Sequence, residues 1–448
     1  MTVFFYTLGC KVNAYETEAM KELFQRNGFF IEATSPEAAD VIVINSCTVT
    51  AESDKKTRQA VRKFRRTNRD AVLVLTGCMP QAYPDKANEL TEADIITGNK
   101  DHSLVIAMVE EYIKKRDTSP QGKEALRMVS IPAHEKGDSF ENMPIAGFEG
   151  RTRAVIKIQD GCDRYCTYCI IPTSKGHSRS RSLESLSSEL DKIKLAGFRE
   201  VVLVGINFCC YGLDIGKTFV DAIELACSKG FDRVRIGSLE FDNISDEAID
   251  RLASLENFCP QFHISLQSGC DRTLKRMNRH YSAAEYEALC KKLRTKFKDA
   301  TITTDLMIGF PGETDEDFEK SISLAKRIQF EKIHVFPYSA RTGTKAAEMP
   351  QVNSQIKSER TGIALKTAED LRSEFFRNQI GKRPEVLVEK YNAKEGIFHG
   401  YTKNYTPVSF RLTSAGTTSI VSALSNKIIP VRITGYNMSL DCCTGEAD

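Results

Sequence analysis

Six cysteines in this chain stand where they could do chemistry, in two sets of three. Cys162, Cys166 and Cys169 lie at C-x₃-C-x₂-C spacing in GCDRYCTYC. A [4Fe–4S] cluster takes four protein ligands, and this run supplies three of them. One iron is left open, and an open iron can bind a small molecule. S-adenosylmethionine (SAM) suits it, since the iron can chelate the amino and carboxylate groups of the methionyl end. One electron passed to the sulfonium then breaks a C–S bond and yields a 5′-deoxyadenosyl radical. That radical is strong enough to take hydrogen from an unactivated C–H bond. Structural zinc is the competing use: the three thiols with nearby His177 would make a Cys₃His site, although no second C-x₂-C arm is present.

The second set is Cys10, Cys47 and Cys78. Each follows a short apolar run: VFFYTLG, VIVINS and VLVLTG. Runs that are β-branched or aromatic, short, and bounded by Gly, Asn, Ser or Thr predict strands buried on both faces. Helical patterns at 15–26, 52–66 and 82–90 separate them, and a fourth strand is expected at 93–97. Strand–helix alternation predicts a parallel sheet with helices on both faces, whose ligand-binding crevice lies at the carboxyl ends of the strands. The three cysteines occupy loops of that kind, so the fold should gather them. Three gathered thiols again leave one iron of a cluster open, making a second, auxiliary [4Fe–4S] site. Cysteine as a small packing residue is the alternative.

The first set needs a different scaffold. Strands near 153–159, 201–205, 233–237, 262–267, 301–308 and 333–337 alternate with helices, of which 183–196 shows the clearest period. Six βα units predict an open (β/α)₆ partial barrel over 148–377, with its chemistry at the carboxyl ends of the strands. The Cys162 loop follows the first strand directly. Around it, Tyr168, Asn207, Glu240, Gln267, Ser268, Gly309 and Glu313 stand at strand ends or in the cysteine loop, and are the candidates for SAM contact.

Residues 55–69 hold eight Lys or Arg and no acid. Such a helix suits a phosphate backbone, with Arg58, Arg62, Arg65 and Arg66 as candidate contacts. Lys175, Arg179 and Arg181 form a basic stretch after the cysteine loop, suited to an anionic substrate. From 378 to 448 the pattern changes to short strands, which predicts a small β-barrel of oligonucleotide-binding type. There Lys403 and Tyr405, with Tyr401 and Phe410, interleave aromatic and basic groups as stacking on unpaired bases requires. Residues 1–115 form the first domain and 116–147 a linker, with one strand near Leu126–Ile131. Cys442 and Cys443 lie in a polar tail, and the other cysteines read as packing residues. The 448 residues carry a net charge of +2, so any nucleic-acid surface must be local. No apolar run is long enough to span a membrane, the N-terminus lacks the features of a signal peptide, and 14 cysteines point to metal or redox use. A cytoplasmic protein is expected.

These segments together resemble one family, the methylthiotransferases of the radical SAM superfamily. The resemblance rests on TLGCKVN, INSCTVT, TGC, GCDRYCTYCIIP, LQSGCDRTLKRMNR, DLMIGFPGET and a C-terminal module like the TRAM domain. TLGCKVNAYETE and CTVT…KTRQAVR resemble most the bacterial tRNA branch that acts on N6-threonylcarbamoyladenosine. The isopentenyladenosine branch is less similar after Cys47, and the ribosomal-protein branch usually has proline where this chain has Lys11. Lys175-Gly176 departs from the family's usual Arg-Gly pair, and Ile206–Cys210 from its usual smaller residues. The resemblance implies methylthiolation of C2 of adenosine 37 beside the tRNA anticodon, with two SAM molecules. One methylates a sulfur carried on the auxiliary cluster; the other is cleaved at the Cys162 cluster, and its radical takes the C2 hydrogen. It also implies the anticodon stem-loop and a flavodoxin- or ferredoxin-like reductant as partners, and no membrane. Alternatives are methylthiolation of isopentenyladenosine 37 or of a ribosomal protein, and an RNA-binding protein with two structural zinc sites.

Overall fold

The computed structural model describes residues 1–32, 34–118, 126–148, 151–413 and 424–447. Residues 119–125 of the expected linker and 149–150 at the start of the expected barrel lie outside the described residues.

The first domain is a six-stranded, wholly parallel sheet. Its strands are β1 (Thr2–Thr7), β2 (Phe30–Glu32), β3 (Val41–Ser46), β4 (Val72–Gly77), β5 (Ile95–Thr97) and β6 (Met128–Ser130), in the order β2-β1-β3-β4-β5-β6. β3 and β4 are buried along their whole length. On one face Val41, Val43, Val72 and Val74 pack under α1 (Lys11–Arg26) and a later helix. On the other, Ile42, Ile44, Leu73 and Leu75 pack under α2 (Ala51–Thr67) and α3 (Cys78–Ala82). The helical pattern at 82–90 is broken, because Pro84 starts a separate short helix, α4 (Pro84–Asn88). α5 (Ser103–Thr118) closes the first face. β6 lies inside the expected linker and extends the sheet by pairing with β5.

The second domain holds six parallel strands: β7 (Arg153–Asp160), then, past the short antiparallel β8 (Arg179–Ser180), β9 (Glu200–Gly205) and β10 (Arg233–Ile236); and past the short β11 (Ser238–Leu239), β12 (Gln261–Ile264), β13 (Thr301–Ile308) and β14 (Lys332–Pro337). They run as two four-stranded sheets, β10-β9-β7-β8 and β11-β12-β13-β14, and a bridge from Val234 to Phe258 lies beside the seam. Helices on the outside complete an open (β/α)₆ half-barrel. The first of these, α6 (Ile171–Lys175), directly follows the cysteine loop. The apolar stripe of α7 (Leu183–Leu195), formed by Leu186, Leu190 and Ile193, packs into the core beneath.

The C-terminal module is a six-stranded sheet: β15 (Glu385–Asn392), β16 (Ile397–Thr402), β17 (Pro407–Leu412), β18 (Ile428–Pro430), β19 (Arg432–Asn437) and β20 (Cys442–Ala447), ordered β18-β15-β16-β17-β20-β19. β20 corrects the expectation of a polar tail: Cys442 and Cys443 are buried, and the strand pairs in parallel with β17. The module lies across the starts of the barrel strands. Arg233 donates to the carbonyls of Tyr401 (2.8 Å) and Glu385 (3.0 Å), Thr301 to that of Asn404 (2.6 Å), and Lys332 pairs with Asp441 (2.6 Å).

Candidate functional site

Cys10, Cys47 and Cys78 stand at the carboxyl ends of β1, β3 and β4, which are neighbours in the sheet, so the fold gathers them as the strand pattern requires. Gly9 allows the approach: it has φ +116, and a Cβ there would lie 2.9 Å from the Cβ of Cys47. Asn13 accepts from Cys10 Sγ at 3.2 Å and donates to the Ser46 carbonyl at 3.1 Å, which ties the first two loops together. The Cys47 loop is also clasped to the barrel. Arg341, after β14, donates to Thr48 Oγ1 (2.8 Å) and Asp54 (2.6 Å). Asn99 donates to Cys78 Sγ at 3.4 Å.

The second set forms a tight loop above the barrel. Cys162 N donates to the Gly176 carbonyl (3.0 Å) and Cys169 N to the Cys166 carbonyl (2.9 Å). Asn207 Nδ2 lies 3.6 Å from Cys162 Sγ, and Arg279 Nη1 lies 3.6 Å from Cys166 Sγ. The same guanidinium pairs with Glu240 and donates to the Ser265 carbonyl at 3.1 Å. Burial pushes Cys162 up to about 11 and Cys78 up to about 12, so both thiols are protonated until a metal takes the proton's place.

Both sets fit an iron–sulfur cluster by the chemistry of their donors. Each has three thiols and a nitrogen donor aimed at a sulfur, the hydrogen bonding that tunes such clusters. In the second site the Asn207 Oδ1 and Gln267 Oε1 atoms are buried without a partner. Gln267 holds φ +66, left-handed backbone that a glutamine adopts only under constraint. Tyr168 is packed edge-on against Phe310 at 6.4 Å.

Two of the expected SAM contacts are committed elsewhere. Ser268 Oγ is buried against Ser321 (3.3 Å) and accepts from Cys270 N. Glu313 is held by Gly309 N (3.0 Å) and Arg360 (2.9 Å), so its carboxylate staples the turn, leaving Gly309 to offer backbone only.

The basic stretch after the cysteine loop is a correction. Lys175, Arg179 and Arg181 are all buried. Lys175 pairs with Glu16 of α1 (2.6 Å), Arg179 with Asp160 (3.2 Å) and Arg181 with Glu189. Glu16 also takes Lys157 (2.9 Å) and His102 (3.6 Å). Although burial opposes it, Lys157, Lys175 and His102 hold Glu16 well below the usual carboxylate range. His102, despite a burial that would lower it, is raised by Glu141 and Glu16 to about 9. This buried charge cluster joins the two cysteine sites, for α3, which begins at Cys78, packs on α6, which ends at Lys175.

The expected RNA contacts divide. On α2, Arg62 and Arg66 are exposed, while Arg58 and Arg65 are half-buried. Arg65 is structural: it pairs with Asp94 and donates to the carbonyls of Glu92, Arg69 and Ala71 at 3.0 Å each. Arg62 meets Glu92 at 3.4 Å, so acids from the loop before β5 partly offset the helix charge. Lys403 and Tyr405 are half-buried against the enzyme. Lys403 donates to the Glu256 carbonyl; Tyr405 stacks on Tyr401 at 4.6 Å, with Arg235 4.4 Å from its centre.

Sequence reasoning missed Glu16, Lys157, Asp160, His102 and Arg279. Arg279 closes the LKRMNR run, which gives a hint; the others carry no spacing signal.

A model described as "Radical SAM superfamily" matches residues 156–325, and one described as "Uncharacterized protein family UPF0004" matches 2–98. The chain is 36% identical to "Threonylcarbamoyladenosine tRNA methylthiotransferase MtaB" of Bacillus subtilis (strain 168), over 97% of this chain and 94% of that one. It is 32% identical to "tRNA-2-methylthio-N(6)-dimethylallyladenosine synthase" of Pelotomaculum thermopropionicum, over 96% and 94%. Its fold is like that of the radical S-adenosylmethionine methyltransferase TsrM from Kitasatospora setae, with TM-score 0.56 at 14% identity over 77% of this chain and 74% of that one.

Proposed function

The chain belongs to the radical SAM methylthiotransferases, and from that premise we propose that it methylthiolates C2 of N6-threonylcarbamoyladenosine at position 37 of tRNA. The observation that carries this reading is the junction of the two thiol sets through α3, α6 and the Glu16–Lys175 pair. A sulfur-inserting enzyme must bring a sulfur carrier and a radical source to one carbon, and this junction holds their two loops in fixed register.

Cys162, Cys166 and Cys169 would hold the cluster that binds SAM, and Cys10, Cys47 and Cys78 the auxiliary one. When bound, these groups supply SAM cleavage and the sulfur; the protein supplies placement and exclusion of water. Arg279 directs one N–H at Cys166 and fixes Glu240 with another. Asn207 directs its amide at Cys162 and leaves its carbonyl oxygen free for a donor. Gln267 offers a second free oxygen, and Tyr168 and Gly309 remain candidates for SAM contact. The exposed cations of α2 would meet the phosphates of the anticodon stem-loop. A flavodoxin- or ferredoxin-like protein would deliver the electrons.

Mass spectrometry of tRNA nucleosides from a strain lacking this chain tests the reading. The methylthiolated form of N6-threonylcarbamoyladenosine should disappear and return on complementation. Loss of methylthiolated dimethylallyladenosine instead, or an unchanged profile, would overturn it.

A further inference from the structure

Beside Cys10, the half-barrel holds a cavity of about 930 Å³. Its rim includes Gly9, Cys10 and Lys11, and its floor is Tyr401 and Tyr405 of the C-terminal module. Resting on the function proposed above, we propose that this cavity receives the N6 arm of the target nucleoside and that Lys11 reads the arm's carboxylate.

The cavity shares Cys10 with the auxiliary thiols, so a base held at those thiols has the cavity as its adjoining space. A substituent on that base must find its partners there. Lys11 lines the cavity with its ammonium 6.0 Å from the centre of the Tyr405 ring. Among the described residues no carboxylate lies within the 4.0 Å of an ion pair with it. Arg235 and Arg153 approach the same ring at 4.4 and 5.1 Å. Their carboxylate partners are already shared: Glu200 lies within 4.0 Å of Arg153, Arg233 and Arg235, and Glu389 meets Arg153. Around Tyr401 and Tyr405 four cations therefore meet two carboxylates, and Arg235 Nη1 is buried with no hydrogen-bond partner, whereas the acids elsewhere on the cavity lining, Asp305, Glu331 and Asp441, each have a basic partner of their own. The deficit is one of negative charge, which an incoming carboxylate fills.

The opposite wall is polar too. His263 contacts Thr303 (3.0 Å) and Asp305 (3.2 Å), and all three line the cavity. Such walls suit a threonylcarbamoyl arm, with its carboxylate, hydroxyl and amides. An apolar dimethylallyl arm would bring no partner for Lys11 or for the unpaired Arg235 Nη1. The methionyl carboxylate of SAM has the same chemistry, and the test separates the two sources.

The reconstituted full-length protein is titrated under anaerobic conditions with anticodon stem-loop RNA carrying N6-threonylcarbamoyladenosine, and with the same RNA carrying its neutral carboxamide. Iron content and SAM affinity are measured on each protein. The unaltered chain should bind the acid about ten- to hundredfold more tightly than the amide, the worth of one charge-assisted bond. Lys11→Met should erase that ratio by weakening the acid alone, and Lys11→Arg should restore most of it. Should Lys11→Met fail to load iron, Lys11→Gln takes its place. An unchanged acid-to-amide ratio in the neutral variant overturns the proposal, and so does a loss that falls on SAM affinity. If the unaltered chain makes no methylthiolated product from either RNA, the proposed function itself fails; product formation with an unchanged ratio sinks the Lys11 assignment alone.

Discussion

Replacing Glu16 with glutamine removes the one carboxylate that serves both lysines at the domain junction. Glu16, Lys157 and Lys175 are all buried, with ammonium–carboxylate distances of 2.9 and 2.6 Å. At an effective dielectric of about 20, each contact is worth on the order of 5 kcal/mol before desolvation. The two lysines do not suffer equally. Lys157 keeps Asp160 at 3.1 Å, whereas among the described residues Lys175 has no other carboxylate at ion-pair distance. Glu16→Gln therefore leaves the buried Lys175 ammonium with only the more distant charge of Asp160, which costs up to about 3–5 kcal/mol. Lys175→Met alone should cost less, because Glu16 retains Lys157 and His102. In the double variant nothing is stranded, so the losses should fall short of additivity by about 2–3 kcal/mol. Urea denaturation of the four proteins, followed through the first unfolding transition, measures that coupling. A coupling below about 0.5 kcal/mol would mean that Lys175 is not held by Glu16, and the account of how the two cysteine loops are registered would fall with it.

Three further outcomes are expected. Anaerobically reconstituted protein should hold about eight irons per chain, and Ala at Cys162, Cys166 and Cys169 should leave about half and end SAM cleavage; full retention of iron would refute the ligand set. Ala at Arg62, Lys63 and Arg66 should flatten the log–log salt dependence of tRNA binding by about 0.7–0.9 per lost phosphate contact, while Arg65→Ala should leave the slope alone and cost about 1–3 kcal/mol of stability, since Arg65 serves Asp94 and three carbonyls. His102, raised to about 9 from its ordinary value, contributes stability that is complete below about pH 6.5 and is lost as pH rises through 9. His102→Gln should flatten that decline in thermal unfolding between about pH 7 and 9; an equally steep decline in the variant would place its cause elsewhere.

The cysteine sets, the parallel sheet and the six barrel strands were legible because each signal is local: a spacing of two or three residues, or an apolar run closed by a turn. The basic stretch from Lys175 to Arg181 misled for the opposite reason. Its partners Glu16 and Asp160 lie 159 residues away from Lys175 and 19 from Arg179, and nothing in a one-dimensional pattern marks such a pair as buried. Tyr405 and Lys403 misled similarly. Aromatic and basic residues interleave in an RNA surface and in a cation-rich domain interface alike, and only the position of Arg235 and Arg153 distinguishes them. β20 was hidden because CCTGEA has no strand-like alternation; it forms because the edge of β17 is there to pair with. Ser268 and Glu313 resemble ligand contacts in the sequence because glycine-rich turns look alike whether they cradle a ligand or simply start a helix.

The C-terminal module supplies the floor of the half-barrel, with Tyr401 and Tyr405 set among Arg153, Arg233 and Arg235. Removing it would open the cavity from below and expose the arginines assembled around those two rings. A truncated enzyme would therefore confuse weak substrate capture with a leaking chamber. A chimera in which two relatives exchange this module would be informative for the same reason, because the part of the cavity lining that includes Tyr401, Tyr405 and Asp441 would travel with it.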